Sequence, residues 1–359
     1  MHIYHLQDAQ IILQRTDNIH KVYVELSSEC NFACEMCFRH SFATPVGSMS
    51  ETLLKTVRTE IATLPKVKEV VLGGLGEPLL HPQISTIISF LKRNDILVTL
   101  TTNGALLAPF IDFFLEQEVD QIVISFETGD IGHSNEHYVF DMISEITQKK
   151  ERLNKDKPSI TLFMVITREN IRTLPHIDQL LRKSDVAEII LSNLLPANQE
   201  QGQLVLYPLP EAEEITIFKD TLFRNILLDK IRYKTPTFEI NTERSCDFID
   251  NHALVIRWDG EVAPCYRLLH SRNEIVLDKT KEVRACSFGN IRQKSLLDIW
   301  NTREYAWFRF TVRNNRYPSC IDCPLRDGCE FIESTKADCW GNENTCADCL
   351  WARRFVKCP

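Results

Sequence analysis

Cys30, Cys34 and Cys37 sit in the stretch ELSSECNFACEMCFRHS with the spacing C-x3-C-x2-C, directly after an apolar, strand-like run. Three soft thiolates on one loop can hold a metal ion or an iron–sulfur cluster. A four-iron cubane has four corners, so its fourth iron would bind something other than these thiolates. A closed zinc site is the rival, because structural zinc takes four protein ligands and His40, three residues past Cys37, could supply the fourth. Ten of the thirteen cysteines lie beyond residue 245: Cys246, Cys265, Cys286, Cys320, Cys323, Cys329, Cys339, Cys346, Cys349 and Cys358. The C-x2-C pairs Cys320/Cys323 and Cys346/Cys349 suit structural zinc and iron–sulfur ligation alike. A loop-rich segment with so many thiols and so little core needs metal to hold it together.

The whole chain narrows the class. Its 359 residues carry 41 lysines and arginines against 49 acids, a net charge of -8, and no basic block, which argues against a nucleic-acid surface. No segment comes near 18 uninterrupted apolar residues, so no membrane span is expected. The start, MHIYHLQDAQIILQR, lacks the regions of a signal peptide. Thirteen cysteines without an export signal point to metal ligation in a reducing, cytoplasmic compartment rather than to disulfides.

The elements that must position the thiols come next. Strand-like, β-branched runs recur at 21–26, 68–74, 95–104, 121–126, 159–166 and 187–193. Between them lie segments of helical period. In SETLLKTVRTEIATL, Leu53, Leu54, Val57 and Ile61 share a face and Ser50 is placed to cap it. In HPQISTIISFLKRN, Ile84, Ile87, Ile88 and Leu91 do the same, and Pro82 suits a first helical turn. Six such units in series predict parallel strands with right-handed crossovers, and the apolar strands predict a sheet covered on both faces.

The chemistry-bearing loops all follow C-terminal strand ends, where ligands collect in parallel α/β folds. The three-cysteine loop follows strand one, GGLGEPLLHP strand two, TTNG strand three, SFETG strand four and SNLLP strand six. Five convergent strand ends fit a barrel-like arc better than an open sheet with one crevice. The predicted fold is α/β, a partial (β/α)6 TIM-like barrel over 21–196. An N-terminal extension (1–20) precedes it, and a linker with a bridging helix near 211–231 fills 197–245. A small cysteine-rich domain takes 246–359. There, NHALVIRWDGEVAPCYRLL alternates about Asp259-Gly260 and predicts a hairpin with a type I′ turn.

Taken singly, the loops have plain readings. Gly73 to Gly76 alone is a tight turn; it is neither a P-loop nor a dinucleotide fingerprint. Asn103-Gly104 is a turn and Ser125 a strand end. Their order and spacing after Cys30, Cys34 and Cys37 change the reading, because together they resemble the radical S-adenosylmethionine (SAM) enzymes. The resemblance implies a [4Fe–4S] cluster on the three cysteines, with SAM at the open iron. Reductive cleavage of SAM would then give a 5′-deoxyadenosyl radical that abstracts hydrogen from an unreactive C–H bond. Gly73, Gly74, Gly76 and Glu77 match the family's GGEP element, which binds the methionine amino group. Asn103 belongs to TTNG, Ser125 and Glu127 are placed for the ribose, and Asn193 of SNLLP lies toward the adenine. Met36 stands where an aromatic residue is frequent, and GGLGEP is one residue longer than GGEP.

The second half resembles the SPASM domain, which carries auxiliary four-iron clusters. Cys246-x13-Gly260-x4-Cys265, then Cys320-x2-Cys323-x5-Cys329, carries the likeness, with FGNIRQKSLLDIWNTREYAWFR in the gap. It implies two auxiliary clusters. Cys246, Cys265 and Cys339 would serve the first, and Cys320, Cys323 and Cys329 with Cys346 or Cys349 the second. Nine residues separate Cys339 from Cys329 rather than three, and ten thiols exceed the eight required, so Cys286 and one or two of the tail cysteines read as core thiols. Cys358 belongs to the same pool of candidate ligands. CFRHSF and the tail DCWGNENTCADCLWARRFVKCP resemble the maturases of tungsten-containing aldehyde ferredoxin oxidoreductases. That likeness implies a protein or cofactor substrate in an anaerobic cell, and the reductive chemistry calls for a low-potential ferredoxin or flavodoxin as electron donor. A peptide- or sulfatase-modifying SPASM enzyme is the alternative. A non-catalytic, zinc-stapled binding module is the alternative of another class.

Overall fold

The computed structural model describes residues 1–5, 7–127, 136–208, 211–226, 231–240 and 242–358. Two short strands, β1 (His2–His5) and β2 (Gln10–Leu13), pair antiparallel at the start of the chain. The six predicted strands follow as β3 (Lys21–Val24), β4 (Glu69–Leu72), β5 (Leu97–Thr102), β6 (Gln121–Phe126), β7 (Ser159–Ile166) and β8 (Val186–Asn193). They pair in that order and all in parallel, which is the predicted (β/α)6 arc. Five helices cross between them: α1 (Glu51–Ala62), α2 (Ile84–Arg93), α3 (Ile111–Glu116), α4 (Glu136–Leu153) and α5 (Leu174–Leu181).

The helix faces read from spacing are the buried ones. Leu53, Leu54, Val57 and Ile61 of α1 and Ile84, Ile87, Ile88 and Leu91 of α2 are each at most 2% exposed. Ser50 caps α1, its Oγ accepting the Leu53 N–H at 3.3 Å. Pro82 does not enter α2; it precedes the cap residue Gln83. His81 holds that entry instead, its ring bonded to the Gln83 N–H and the Met49 carbonyl.

Three more strands extend the sheet to nine: β9 (Arg232–Lys234) beside β8, β10 (Ala253–Ile256) parallel to β3, and β11 (Val262–Ala263) antiparallel to β10. The cysteine-rich hairpin is thus continuous with the barrel sheet. All four residues of β10 are buried, because Leu254 and Ile256 pack into the main core and the alternate Ala253 and Val255 into a second apolar cluster. Its turn is not type I′, which needs positive φ at both central residues. Only Gly260 of the pair is left-handed (φ 94°), and its N–H closes onto the Arg257 carbonyl at 2.9 Å. A second hairpin, β12 (Arg272–Val276) and β13 (Lys279–Val283), follows. The predicted bridging helix is observed over Ala212–Ile226; residues 227–230 lie outside the described residues, as do Thr128 and Gly129 of SFETG. No helix among the described residues is long and apolar enough to cross a membrane.

Candidate active site and auxiliary thiol sites

A cavity of about 260 Å³ opens at the C-terminal edge of the sheet, and Cys30, Cys34 and Cys37 all line it. The cysteine loop is locked by its own backbone: the Cys37 N–H donates to the Cys34 carbonyl at 3.0 Å. Arg39 clamps the loop through the Phe32 and Ser28 carbonyls, at 2.9 and 3.4 Å. His40 turns its Nε2 to the Cys34 carbonyl at 3.1 Å, a backbone contact rather than a place beside the thiols. The Cys34 thiol is pushed up to about 12, chiefly by burial and then by the neighbouring Glu127 carboxylate.

Gly74, Gly76, Glu77, Asn103, Ser125, Glu127 and Asn193 line the same cavity. Gly76 presses on the backbone of the cysteine loop: an added Cβ would lie 2.4 Å from the carbonyl oxygens of both Ser27 and Glu29. Gly74 adopts φ 140°, where an added Cβ would meet the Glu25 side chain at 2.7 Å. Gly73 is not among the lining residues; it faces Thr101 on β5 and allows strand contact. Glu77 is 1% exposed and knits two loops together. Its Oε1 accepts from the Leu79 N–H and Thr102 Oγ1, and its Oε2 from the Asn103 N–H at 2.8 Å. Burial raises its pKa above the usual carboxylate range despite those bonds. Asn103 is thereby set with Nδ2 3.6 Å from Cys30 Sγ.

Asn193 is 1% exposed. Its Nδ2 donates to the Thr237 and Phe355 carbonyls, while its Oδ1 is buried with no partner among the described residues. Tyr266, Trp351, Lys357 and Cys358 are also part of the wall. Sequence reading missed the first three as cavity residues. Only Tyr266 had a signal, its place directly after Cys265. The others come from a tail whose return to β8 no local pattern announces.

Cys246, Cys265, Cys346, Cys349 and Cys358 line a second, small cavity. Burial pushes the Cys265 thiol up to about 11, with Cys349 the next influence. Cys320 lies within the electrostatic reach of Cys339 and Cys329. Cys346 and Cys349 therefore stand with Cys246 and Cys265, and Cys339 with the Cys320 group, the reverse of the assignment the resemblance implied. The tail's anchoring explains the exchange. The Cys320 N–H donates to the Ala347 carbonyl at 3.0 Å, and Asp348 is pinned by Arg267 at 2.9 Å and Lys281 at 2.5 Å. Cys286 is 4% exposed and packs in the main core.

Arg267, Arg272, Lys281, Glu274 and Asp348 form a network, each at most 3% exposed. Glu274 pairs with Arg267 and, at 3.0 Å, with Arg272. Arg272 also stacks over Phe38, next to Cys37, with 4.7 Å to the ring centre. Arg267→Met would leave two buried carboxylates short of a cation, so we expect a stability loss of about 3–5 kcal/mol. A clearly lowered midpoint of thermal unfolding would show it; an unchanged midpoint would deny the network its structural weight.

The residues fit the groups that such thiols hold. The glycine cradle leaves room that a side chain would fill, Asn193 offers an unused acceptor to the first cavity, and three thiols meet there. In the second cavity, Arg267 Nη1 is a buried donor with no partner among the described residues, suited to a thiolate or sulfide. Neither set closes on one point: among the described residues no three His, Cys, Asp or Glu side chains are placed about a single ion.

Comparison with known proteins agrees with this arrangement. The radical SAM superfamily matches over residues 24–181 and the SPASM iron–sulfur cluster-binding domain over 246–324. The chain belongs to the radical SAM superfamily and is an enzyme that binds a [4Fe–4S] cluster and SAM. It is 38% identical, over 346 residues, to the tungsten-containing aldehyde ferredoxin oxidoreductase cofactor-modifying protein of Pyrococcus furiosus, covering 94% of this chain and 96% of that one. Among solved structures, Streptococcus suis SuiB bound to its precursor peptide SuiA superposes with a TM-score of 0.62 at 14% identity, over 92% of this chain and 76% of that chain. The SAM-bound anSMEcpe does so with 0.60 at 17%, over 94% and 90%. At these identities the structures bear on the fold alone.

Proposed function

We propose that the chain is a maturase that modifies the cofactor of a tungsten-containing oxidoreductase, or the protein that holds it. The near full-length identity to the Pyrococcus furiosus protein carries this reading. When bound at Cys30, Cys34 and Cys37, a [4Fe–4S] cluster supplies the electron that splits the sulfonium of SAM. The protein's part is to hold, orient and shield. The three thiolates would leave one iron of that cluster for SAM, Gly76 lets the glycine loop close on the cysteine-loop backbone, and Asn103, Ser125, Glu127 and Asn193 wall the site. Tyr266 and the tail residues Trp351, Val356 and Lys357 add bulk to the cavity wall, which would help keep water from a reactive radical.

Residues 21–196 would be the SAM-cleaving core and 246–359 the auxiliary module, joined by 197–245 and preceded by 1–20. Cys246, Cys265, Cys346 and Cys349 would hold one auxiliary cluster, and Cys320, Cys323, Cys329 and Cys339 another. The setting would be an anaerobic cytoplasm, with electrons from a ferredoxin or flavodoxin. The test mixes reconstituted enzyme, SAM and dithionite with a tungsten oxidoreductase produced without its maturase. Formation of 5′-deoxyadenosine should rise above the substrate-free rate, and the oxidoreductase or its cofactor should change mass. A mass change in an unrelated precursor peptide, and none in the oxidoreductase, would favour the peptide-modifying alternative.

A further inference from the structure

Five thiols surround the first auxiliary cavity, one more than a four-iron cubane takes. Of the five, Cys358 alone among the described residues also lines the cavity of Cys30, Cys34 and Cys37. Its segment is bonded both to the tail loop, where the Phe355 and Val356 N–H groups donate to the Leu350 carbonyl, and to the barrel. The Lys357 N–H donates to Ser192 Oγ at 3.0 Å, and the Phe355 carbonyl accepts from Asn193 Nδ2, also at 3.0 Å, at the end of β8. Cys358 packs on the cluster of buried side chains that contains Tyr266. Tyr266 is 5% exposed, lines the SAM-side cavity, and its hydroxyl has no partner among the described residues. A buried hydroxyl left unpaired is costly, so a molecule in the cavity is the natural recipient of its hydrogen bond.

We propose that Cys358 is not an iron ligand but the hydrogen-atom donor of the radical cavity, with the Tyr266 hydroxyl holding the molecule that receives the hydrogen. The step balances. A carbon radical in the cavity takes the hydrogen of the Cys358 S–H bond, which is weaker than the C–H bond formed, and leaves a thiyl radical. One electron from a donor of the ferredoxin or flavodoxin class and one proton from water restore the thiol. The inference rests on SAM cleavage but not on tungsten, and its test needs no identified substrate.

Iron is counted in the reconstituted Cys358→Ala protein and in Cys349→Ala. SAM cleavage is then run without substrate in heavy water with dithionite, and the 5′-deoxyadenosine is examined by mass spectrometry. Cys358→Ala should keep the wild-type iron content, whereas Cys349→Ala should lose about four irons. Wild-type product should carry deuterium drawn from the exchanged thiol, and Cys358→Ala product should lose that label. Cys358→Ser, which keeps the shape and whose stronger O–H bond gives up no hydrogen atom, should lose it as well. Tyr266→Phe, which loosens the acceptor but leaves the thiol in place, should lower the label only in part; a complete loss there with the label kept in Cys358→Ala would make the phenol the source and overturn the proposal. A loss of about four irons in Cys358→Ala would make Cys358 a ligand and overturn the proposal. So would an unlabelled wild-type product, or a label that survives in both cysteine variants.

Discussion

Gly76→Ala is expected to abolish measurable 5′-deoxyadenosine formation, although the substitution adds one methyl group and touches no thiol. The added Cβ would lie 2.4 Å from two backbone oxygens, those of Ser27 and Glu29, which no rotamer change can move. Glu29 precedes Cys30 and also accepts the Glu77 N–H at 2.8 Å, so a shift there displaces the cysteine loop and the glycine loop together. A displacement of about 1 Å in a reactive geometry costs about 100-fold in rate, and here two loops would move. Gly73→Ala is the control. Its Cβ would press on the Thr101 side chain, on Oγ1 and, at 3.0 Å, on Cβ; a turn about χ1 relieves only the first, but no backbone of the cysteine loop is struck, so a smaller loss is expected. Rates of SAM cleavage in the two reconstituted variants provide the comparison; a Gly76→Ala enzyme as active as Gly73→Ala would deny the cradle its role.

The second large effect concerns the thiols themselves. Changing Cys30, Cys34 and Cys37 together to alanine should remove about four of about twelve irons and all SAM cleavage. Changing Cys320 and Cys323 should remove a similar amount of iron and leave some SAM cleavage, because their site stands apart from the first cavity. The contrast in activity at matched iron loss is the informative result. Equal inactivation by both changes would mean that the two thiol sets act as one unit.

Much of this was legible because the signals were local. The six barrel strands and the faces of α1 and α2 follow from periodicity, since apolar side chains at helical or strand spacing must find the same core. The loops at the strand ends carried the site for a related reason: in a parallel arc, sequence order around the barrel becomes convergence at one edge. What escaped was set by long-range closure. Nothing near Ala253 to Ile256 says that this strand will pair with Lys21 to Val24 rather than stand in a separate module. The exchange of Cys339 with Cys346 and Cys349 depends on Asp348 finding Arg267 and Lys281, two cations distant in sequence. The return of Lys357 and Cys358 to the radical cavity likewise rests on bonds to β8 that no spacing encodes.

The open coordination position in the core cluster is tested most directly by electron–nuclear double resonance. The reduced, air-free protein would be given SAM labelled at its amino nitrogen and carboxylate oxygen. Both labels should couple to a cluster in the wild type and in the Cys320/Cys323 variant, and neither should couple once Cys30, Cys34 and Cys37 are gone. A fully loaded cluster on those three cysteines that shows no coupling to either label, or that takes His40 as a fourth ligand, would contradict the account.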